Sequence, residues 1–503
     1  MICDSQSQVV DFLSSPASHG GAVVQQIDTH LSHIFLTGDR AYKIKRAVRY
    51  DFVDFSSVAK RKAACELEVK VNRRTAPEIY LGVVPIYCSQ KGAAWAGSGE
   101  PVDWAVEMMR FDTDEQFDTL VSRGKLDASL IKQLADKLAQ FHESAEIKRD
   151  FSLGGGVASV LDQISTSLHD HEIGATRERD IARWSSLAFT EFERHAAYIN
   201  ARRRHGWVRH CHGDLHLANI CLFKGDPTPF DAIEFNEDLA IIDVLYDIAF
   251  VSMDLVAHNR GELANLLINR YLSITRDYSG ARLLRLFHSM RAGVRAMVLS
   301  LPTQPKKTKR VAERYLDLAL EFLVGESELR VIAIGGHSAT GKSTLAGALA
   351  MEMNHRTGAI MLRSDVVRKR LLGQTPETQL EKSGYVTAHS HAAYQRLFKD
   401  ARRALRAGQS VVIDATFLDQ EFRTAAEALA EKLDVPFSGV WLSAPRNVLL
   451  DRITKRMNGA SDATSDVLEN QLEHKVDTGG WLEVDATGSA NETLQIARGM
   501  LEF

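Results

Sequence analysis

The stretch Gly336-His337-Ser338-Ala339-Thr340-Gly341-Lys342-Ser343 constrains this chain more than any other. It is a complete GxxxxGKS, and its flanks fit the motif. Val331 to Ile334 read as a buried strand before it, and Ser343 to Met353 as a helix after it. A strand, a glycine-rich turn and a helix in that order form a cradle of backbone N–H groups for phosphate. Gly336, Ser338, Ala339, Thr340, Gly341 and Thr344 are therefore expected to line a nucleotide site. Lys342 should reach the outer phosphate oxygens, and Ser343 should hold Mg²⁺. The sequence downstream supplies the sheet such a loop needs. Ser410 to Asp414 is a second apolar strand, and its terminal Asp414 suits the metal's water shell. Met361 to Asp365 brings a carboxylate to a strand end, where Asp365 either takes an acceptor hydroxyl proton or caps the next helix. Arg452 and Arg456, at i and i+4, either clamp phosphates during transfer or form a solvated face.

A second constellation lies upstream in His212-Gly213-Asp214-Leu215-His216-Leu217-Ala218-Asn219. An Asp followed five positions later by an Asn is what a phosphoryl-transfer loop needs. The first orients the acceptor hydroxyl, and the second reaches a metal on the phosphates. Another carboxylate ligand should follow at a strand end, and Pro229 to Phe235 offers both Asp231 and Glu234. Lys43 and Lys45 share one face of an early strand, and Glu66 and Glu68 follow on a helix, so a strand Lys can pair with a helical Glu. Taken singly these features are weak. Lys43 and Lys45 also fit a solvated strand face, and His205, His210, His212 and His216 lack metal-ligand spacing. Their order along one chain is what makes them a site.

With those residues in place, HGDLHLANI, the IEFN tetrapeptide and IDVLYDIAF resemble the aminoglycoside phosphotransferase/choline kinase branch of the protein-kinase-like fold, over residues 20–325. The resemblance implies that Asp214 is the catalytic base and Asn219 a metal ligand. It puts Glu234 where relatives carry Asp, with Asp231 as its rival. Asp247 is expected to brace the catalytic loop. Trp104 to Met109 resembles the hinge that contacts adenine, through Glu107 and Met109. Thr29 to His33 stands where other kinases have a glycine-rich loop. Residues 330–475 resemble the small P-loop kinases grouped with polynucleotide kinase, gluconate kinase and zeta-toxin-like enzymes. The absence of NKxD argues against a GTPase, and too little chain follows Asp414 for the lid of an AAA+ motor. The expected fold is an α+β protein-kinase-like bilobal unit followed by an α/β P-loop NTPase domain with a parallel sheet. Its expected domains are residues 1–110 (N-lobe), 111–325 (C-lobe) and 326–503.

Composition sets the frame. A chain of 503 residues with 45% apolar and 25% charged residues is globular and has room for about three packing units. A net charge of −4 argues against a protein devoted to duplex nucleic acid. Five scattered cysteines without CxxC spacing argue against a disulfide framework, and MICDSQSQVVDFLSS, acidic where a leader would be basic and followed by no long apolar core, does not read as a secretory leader. The most apolar stretch, Leu239 to Ala257, carries Asp243, Asp247 and Asp254, too many carboxylates for a membrane span. The expectation is a cytoplasmic enzyme using ATP and Mg²⁺ at two sites, with hydroxyl-bearing acceptors. The alternatives are a regulatory protein with one degenerate kinase half, and a polynucleotide-end kinase using Arg202-Arg203-Arg204 or Lys306-Lys307.

Overall fold

The computed structural model describes residues 6–50, 53–89, 92–149, 156–301, 308–325, 328–353, 356–380, 387–455, 464–473 and 476–501. The chain divides into two compact units. Met1–His258 and Leu286–Leu323 make the first, and Asn259–Arg285 and Val324–Phe503 the second.

The first unit opens with a six-stranded sheet in the order Val24–Asp28, Ser32–Thr37, Arg40–Lys45, Asp103–Met109, Tyr80–Ser89, Gly92–Ala94. The expected hairpin is present, with Thr37 opposite Arg40 across Gly38-Asp39. Strand alternation turns Lys43 and Lys45 to one face, where both meet Glu68, while Ile44 between them is buried on the other. The Val58–Asn72 helix crosses behind the sheet. Its N-cap Ser57 accepts a hydrogen bond from the Lys60 amide at 3.3 Å. Cys65, Val69 and Ile79 pack there against Val106 and Met108.

A helical half follows. Asp127 caps the Ala128–Ser144 helix by accepting from the amides of Ser129 and Leu130, both at 2.9 Å. Ile131, Leu134 and Leu138 lie on its buried face at helical spacing. Asp243 caps the Val244–Ala257 helix and also takes a bidentate bond from the buried Arg202 at 2.6 and 2.8 Å. The first arginine of the basic triplet is therefore a core ion pair and does not present a surface to nucleic acid. Lys306-Lys307 and the glycines 154 and 155 lie outside the described residues. No helix among the described residues is long and apolar enough to cross a membrane. Cys65, Cys211 and Cys221 are buried free thiols, whereas Cys88 is disulfide-bonded, which the sequence did not lead us to expect.

The second unit is a five-stranded parallel sheet in the order Ile360–Arg363, Val411–Asp414, Val331–Gly336, Phe437–Ser443, Leu482–Asp485. The strand feeding the glycine-rich loop is central and wholly buried, as its unbroken apolar run requires. Residues 259–285 fall inside the stretch expected to belong to the C-lobe, yet they pack in this unit. The Gly261–Thr275 helix lies along the edge strand and satisfies its backbone with two asparagines. Asn269 Oδ1 accepts from the Met361 amide at 2.7 Å, and Asn265 Nδ2 donates to the Ala359 and Thr357 carbonyls at 2.9 and 2.7 Å. Gly358 (φ 67°) makes room, since a Cβ there would sit 2.9 Å from Asn265 Nδ2.

Candidate active sites

In the first unit, strand alternation and one helix turn bring five charged side chains together. Glu68, fully buried, joins Lys43 (2.8 Å) to Lys45 (2.7 Å) through its two carboxylate oxygens. Lys43 continues to Asp231 at 2.7 Å, and Lys45 to Glu234. Burial disfavours charge on both lysines, but the facing carboxylates outweigh it and hold both ammonium groups above their ordinary range. Burial likewise works against the Glu68 carboxylate, and the two lysines bring it down to about 2. Glu66 is not part of this cluster; it faces Lys62 on the outside of the helix.

The two rival carboxylates stand differently. Glu234 is 7% exposed in its side chain, and burial raises its pKa despite Lys45. Asp231 is 43% exposed and sits in left-handed backbone, φ 58°. That conformation is held from outside. The Asp231 amide donates to the Tyr80 hydroxyl at 3.2 Å and the Ala232 amide to Asn72 Oδ1 at 2.8 Å. Neither Tyr80 nor Asn72 carries a sequence signal for this role.

Asp214 lies on the His212–Asn219 loop with its side chain 39% exposed. Asn219 Nδ2 donates to the Asp214 Oδ2 and to the Asp214 backbone carbonyl, both at 2.9 Å, which leaves the Asn219 side-chain Oδ1 for another partner. Enclosure disfavours charge on Asp214, but His216, Arg295 and His212 hold its carboxyl well below the ordinary carboxylate range. The loop hangs on two buried aspartates. Asp247 accepts from the His212 and Gly213 amides at 2.9 and 3.1 Å and pairs with His142 at 3.2 Å. Asp254 accepts from the Leu217 amide at 3.0 Å and from the Tyr315 hydroxyl at 2.7 Å. At the other rim, Thr29 and Ser32 close a short turn on themselves in place of a glycine-rich loop.

In the second unit the glycine-rich loop follows its strand directly. Gly336 has φ 138°, and a Cβ there would lie 2.5 Å from the Leu442 carbonyl, so only glycine fits. Ala339 and Gly341 are also left-handed, which turns the loop around. Lys342 Nζ donates to the His337 carbonyl at 2.7 Å, and Thr340 Oγ1 to the same oxygen at 2.8 Å. The Ser338 amide donates to Gln471 Oε1 at 2.8 Å. Ser343 Oγ donates to Asp414 Oδ2 at 2.6 Å, so the two expected metal ligands meet. Arg363, from the end of the edge strand, bonds both: Nε to Asp414 at 3.1 Å and Nη2 to Ser343 at 2.8 Å. Asp365 takes an ion pair from the buried Arg368 at 2.8 Å. The helix cap there is Arg363, and Asp365 lies inside the first turn.

Residues 59–284 match the family described as Phosphotransferase enzyme family, and residues 331–475 the family described as AAA domain. Rv2004c of Mycobacterium tuberculosis and Mb2027c of Mycobacterium bovis are each 31% identical to this chain over 470 residues, 90% of this chain and 92% of theirs. The chain belongs to this two-domain family. Among solved structures, a choline kinase from Cryptosporidium parvum Iowa II is 12% identical and covers 61% of this chain and 90% of its own, with a TM-score of 0.40.

In this member of the two-domain family, three expected residues stand apart from the sites. Met109 ends a strand paired on both sides, and its amide donates to the Ile79 carbonyl at 2.8 Å, so that donor is taken. Glu107 turns to Tyr42 (3.3 Å) and Arg40 (3.6 Å). A central strand uses its backbone in the ladder, and the next amide, that of Arg110, donates to the Asp39 carbonyl at 2.9 Å, so irregular chain that could offer free amides begins only after it. Arg452 Nη2 is bound to the Gly488 carbonyl at 2.8 Å, so its helix face serves a loop. Thr344 is exposed on the first turn of the Lys342–Glu352 helix, and Arg456 lies outside the described residues.

Proposed function

We propose that this protein is a phosphotransferase with two Mg-ATP sites, and that the Asp214 site transfers the γ-phosphate to a hydroxyl-bearing small molecule. The observation that carries this reading is the line Glu68–Lys43–Asp231, a cation between two carboxylates, tied to the Asp214–Asn219 pair by the Phe230 amide, which donates to the Asn219 backbone carbonyl at 2.9 Å. Asp214, kept ionised by its neighbours, accepts the proton of the attacking hydroxyl. Lys43 binds phosphate oxygens, with Glu68 fixing its position.

The residues present fit magnesium. Asn219 and Asp231 in the first unit, and Ser343 and Asp414 in the second, offer the hard oxygen donors that ion prefers, and Asp231 is the accessible carboxylate of its pair. When bound, the ion would neutralise charge on the phosphates and bring them to their partner in line. Glu234 we read as the counter-ion of Lys45. That reading explains the Glu in the position where relatives carry Asp, and it removes the feature that favoured a degenerate, purely regulatory half. In the second site Lys342 would bind phosphate and Asp365 would act as base on a separate acceptor. A protein consuming Mg-ATP at both sites belongs in the cytoplasm.

The test is transfer of labelled phosphate from ATP to pooled sugars, alcohols, nucleosides and oligonucleotides, with Asp214→Asn and Lys342→Ala compared. Two products, one lost in each variant, support the reading. If Asp214→Asn changes no product, the first site is not a kinase.

A further inference from the structure

Arg363 ends the Ile360–Arg363 strand and stands in register with Asp414 at the end of its parallel neighbour. Paired positions on neighbouring strands share a face, so the guanidinium reaches the carboxylate directly, Nε donating to Asp414 Oδ2 at 3.1 Å. Nη2 of the same group donates to Ser343 Oγ at 2.8 Å. The Ser343 hydroxyl gives its one proton to Asp414 Oδ2 at 2.6 Å and so presents a lone pair to the arginine. Arg363 therefore touches both groups that fit magnesium. Three other arginines of this unit are tied elsewhere. Arg368 pairs with Asp365 at 2.8 Å, Arg423 donates to the carbonyls of Phe417, Leu418 and Asp477, and Arg452 to those of Thr487 and Gly488. The Asp414 side chain is 7% exposed and that of Arg363 21%, so the arginine is the more accessible partner of the pair.

An arginine that bridges two metal-binding groups has a consequence for both. Magnesium on the Ser343 hydroxyl brings two positive charges to an oxygen that already faces a guanidinium, and like charges repel at that range. The guanidinium has to leave Ser343 while its strand end stays fixed by the ladder. The negative charge that arrives with the ion is that of the phosphates held by Lys342 and the loop amides. We propose that Arg363 is the phosphate clamp of the P-loop site: it competes with magnesium for Ser343 and Asp414, and on losing Ser343 it binds the oxygens of the phosphoryl group in transfer. This rests on the kinase reading of that site. The acceptor hydroxyl oxygen attacks the γ-phosphorus of ATP, the bond from that phosphorus to the bridging oxygen breaks, ADP leaves, and the hydroxyl proton passes to Asp365. Arg363 takes no part in those bond changes; its planar fork stabilises the charge on the phosphoryl oxygens while they occur. The role expected of Arg452 thus moves to a residue at a strand end.

The experiment uses the full-length protein and a fluorescent ADP, titrated with Mg²⁺ in the presence and absence of fluoroaluminate, which stands in for the phosphoryl group in transfer. Only binding that disappears in Lys342→Ala is counted. In the native protein fluoroaluminate should tighten ADP binding about tenfold or more. Arg363→Gln should abolish that tightening and keep Kd for Mg-ADP within about threefold; with the competing cation gone, the Mg²⁺ concentration for half-maximal ADP binding should fall about threefold or more. Arg363→Lys keeps a cation beside Asp414, so its Mg²⁺ requirement should stay near native, but without the fork most of the tightening should be lost. A residue that only braces Asp414 gives the opposite pattern in Arg363→Gln: a higher Mg²⁺ requirement and weaker Mg-ADP binding, with the tightening intact. Tightening that survives in Arg363→Gln, or a Mg²⁺ requirement that is unchanged or raised there, overturns the clamp and leaves the kinase reading standing. Should Arg363→Gln not fold, Arg363→Lys decides alone, and full tightening in it overturns the clamp. Native protein that binds ADP no more tightly with fluoroaluminate also overturns the clamp, and no Lys342-dependent nucleotide binding at all overturns both.

Discussion

Asp231 and Glu234 are three residues apart, and the fold gives them different work. Asp231 is open, and its backbone is strained into place by Tyr80 and Asn72; Glu234 is enclosed with Lys45. Asp231→Asn should therefore leave the denaturation midpoint nearly unchanged while sharply raising the Mg²⁺ concentration needed for half-maximal turnover. Glu234→Gln should do the reverse. It leaves the buried Lys45 with Glu68 as its remaining counter-ion, at a cost of about 3 kcal/mol read by urea unfolding. Asp214→Asn should lower kcat of the first site by a factor of about 10²–10⁴ with an unchanged midpoint, the range general-base loss produces. His288 gives a pH signature. It is buried between Ser252 (2.7 Å) and the Phe322 ring, and burial brings its pKa down to about 3. In the unfolded chain the imidazole protonates near pH 6.5, so below that pH the unfolded state binds the extra proton. Stability contributed by the neutral ring is complete above about pH 6.5 and falls by about 1.4 kcal/mol per unit as pH drops towards 3. Denaturation midpoints measured from pH 7 to 4 should show this slope, reduced in His288→Phe.

Among the elements, those with a strong local signal were legible. Period-2 alternation fixed the hairpin that aims Lys43 and Lys45, and the glycine-rich loop with its flanking strand and helix came out where its spacing put it. What stayed hidden depends on partners distant in the chain. Nothing around Arg363 predicts that it bridges Ser343 to Asp414, because parallel pairing with Val411–Asp414 is what brings them together. Met109 misled because a central strand and the connection after it differ only in whether the ladder uses their amides. Asn265 and Asn269, at i and i+4, look like the polar stripe of an amphipathic helix; only the sheet order shows that they finish an edge strand. Asn269→Leu should therefore orphan the Met361 amide and weaken the second unit by about 1–3 kcal/mol. Thermal unfolding should show that loss, and an unchanged second-unit transition would mean that water serves the edge equally well.

The whole molecule is two units but not two consecutive segments. The chain leaves the first unit after His258, contributes residues 259–285 to the P-loop unit, and returns at Leu286. Covalent order therefore disagrees with packing order. Edge strands with unpaired backbone are what sheets must cover to avoid pairing with other chains. In this unit the cover for Ile360–Arg363, the strand that delivers Arg363 and Asp365, is encoded almost a hundred residues earlier. A chain cut to residues 326–503 keeps the glycine-rich loop and all five strands yet lacks that cover. It should unfold at a lower temperature than the second unit does in the intact protein, self-associate at micromolar concentration, and lose Lys342-dependent ATP turnover. Supplying residues 259–285 as a separate peptide should restore a monomer and raise the midpoint, and the same peptide carrying Asn265→Leu and Asn269→Leu should not. If residues 326–503 alone are monomeric and unfold at the temperature seen in the intact chain, the helix is dispensable cover and the two units are separable after all. Restoration by the native peptide alone would instead make the Gly261–Thr275 helix part of the P-loop unit in energy as well as in space.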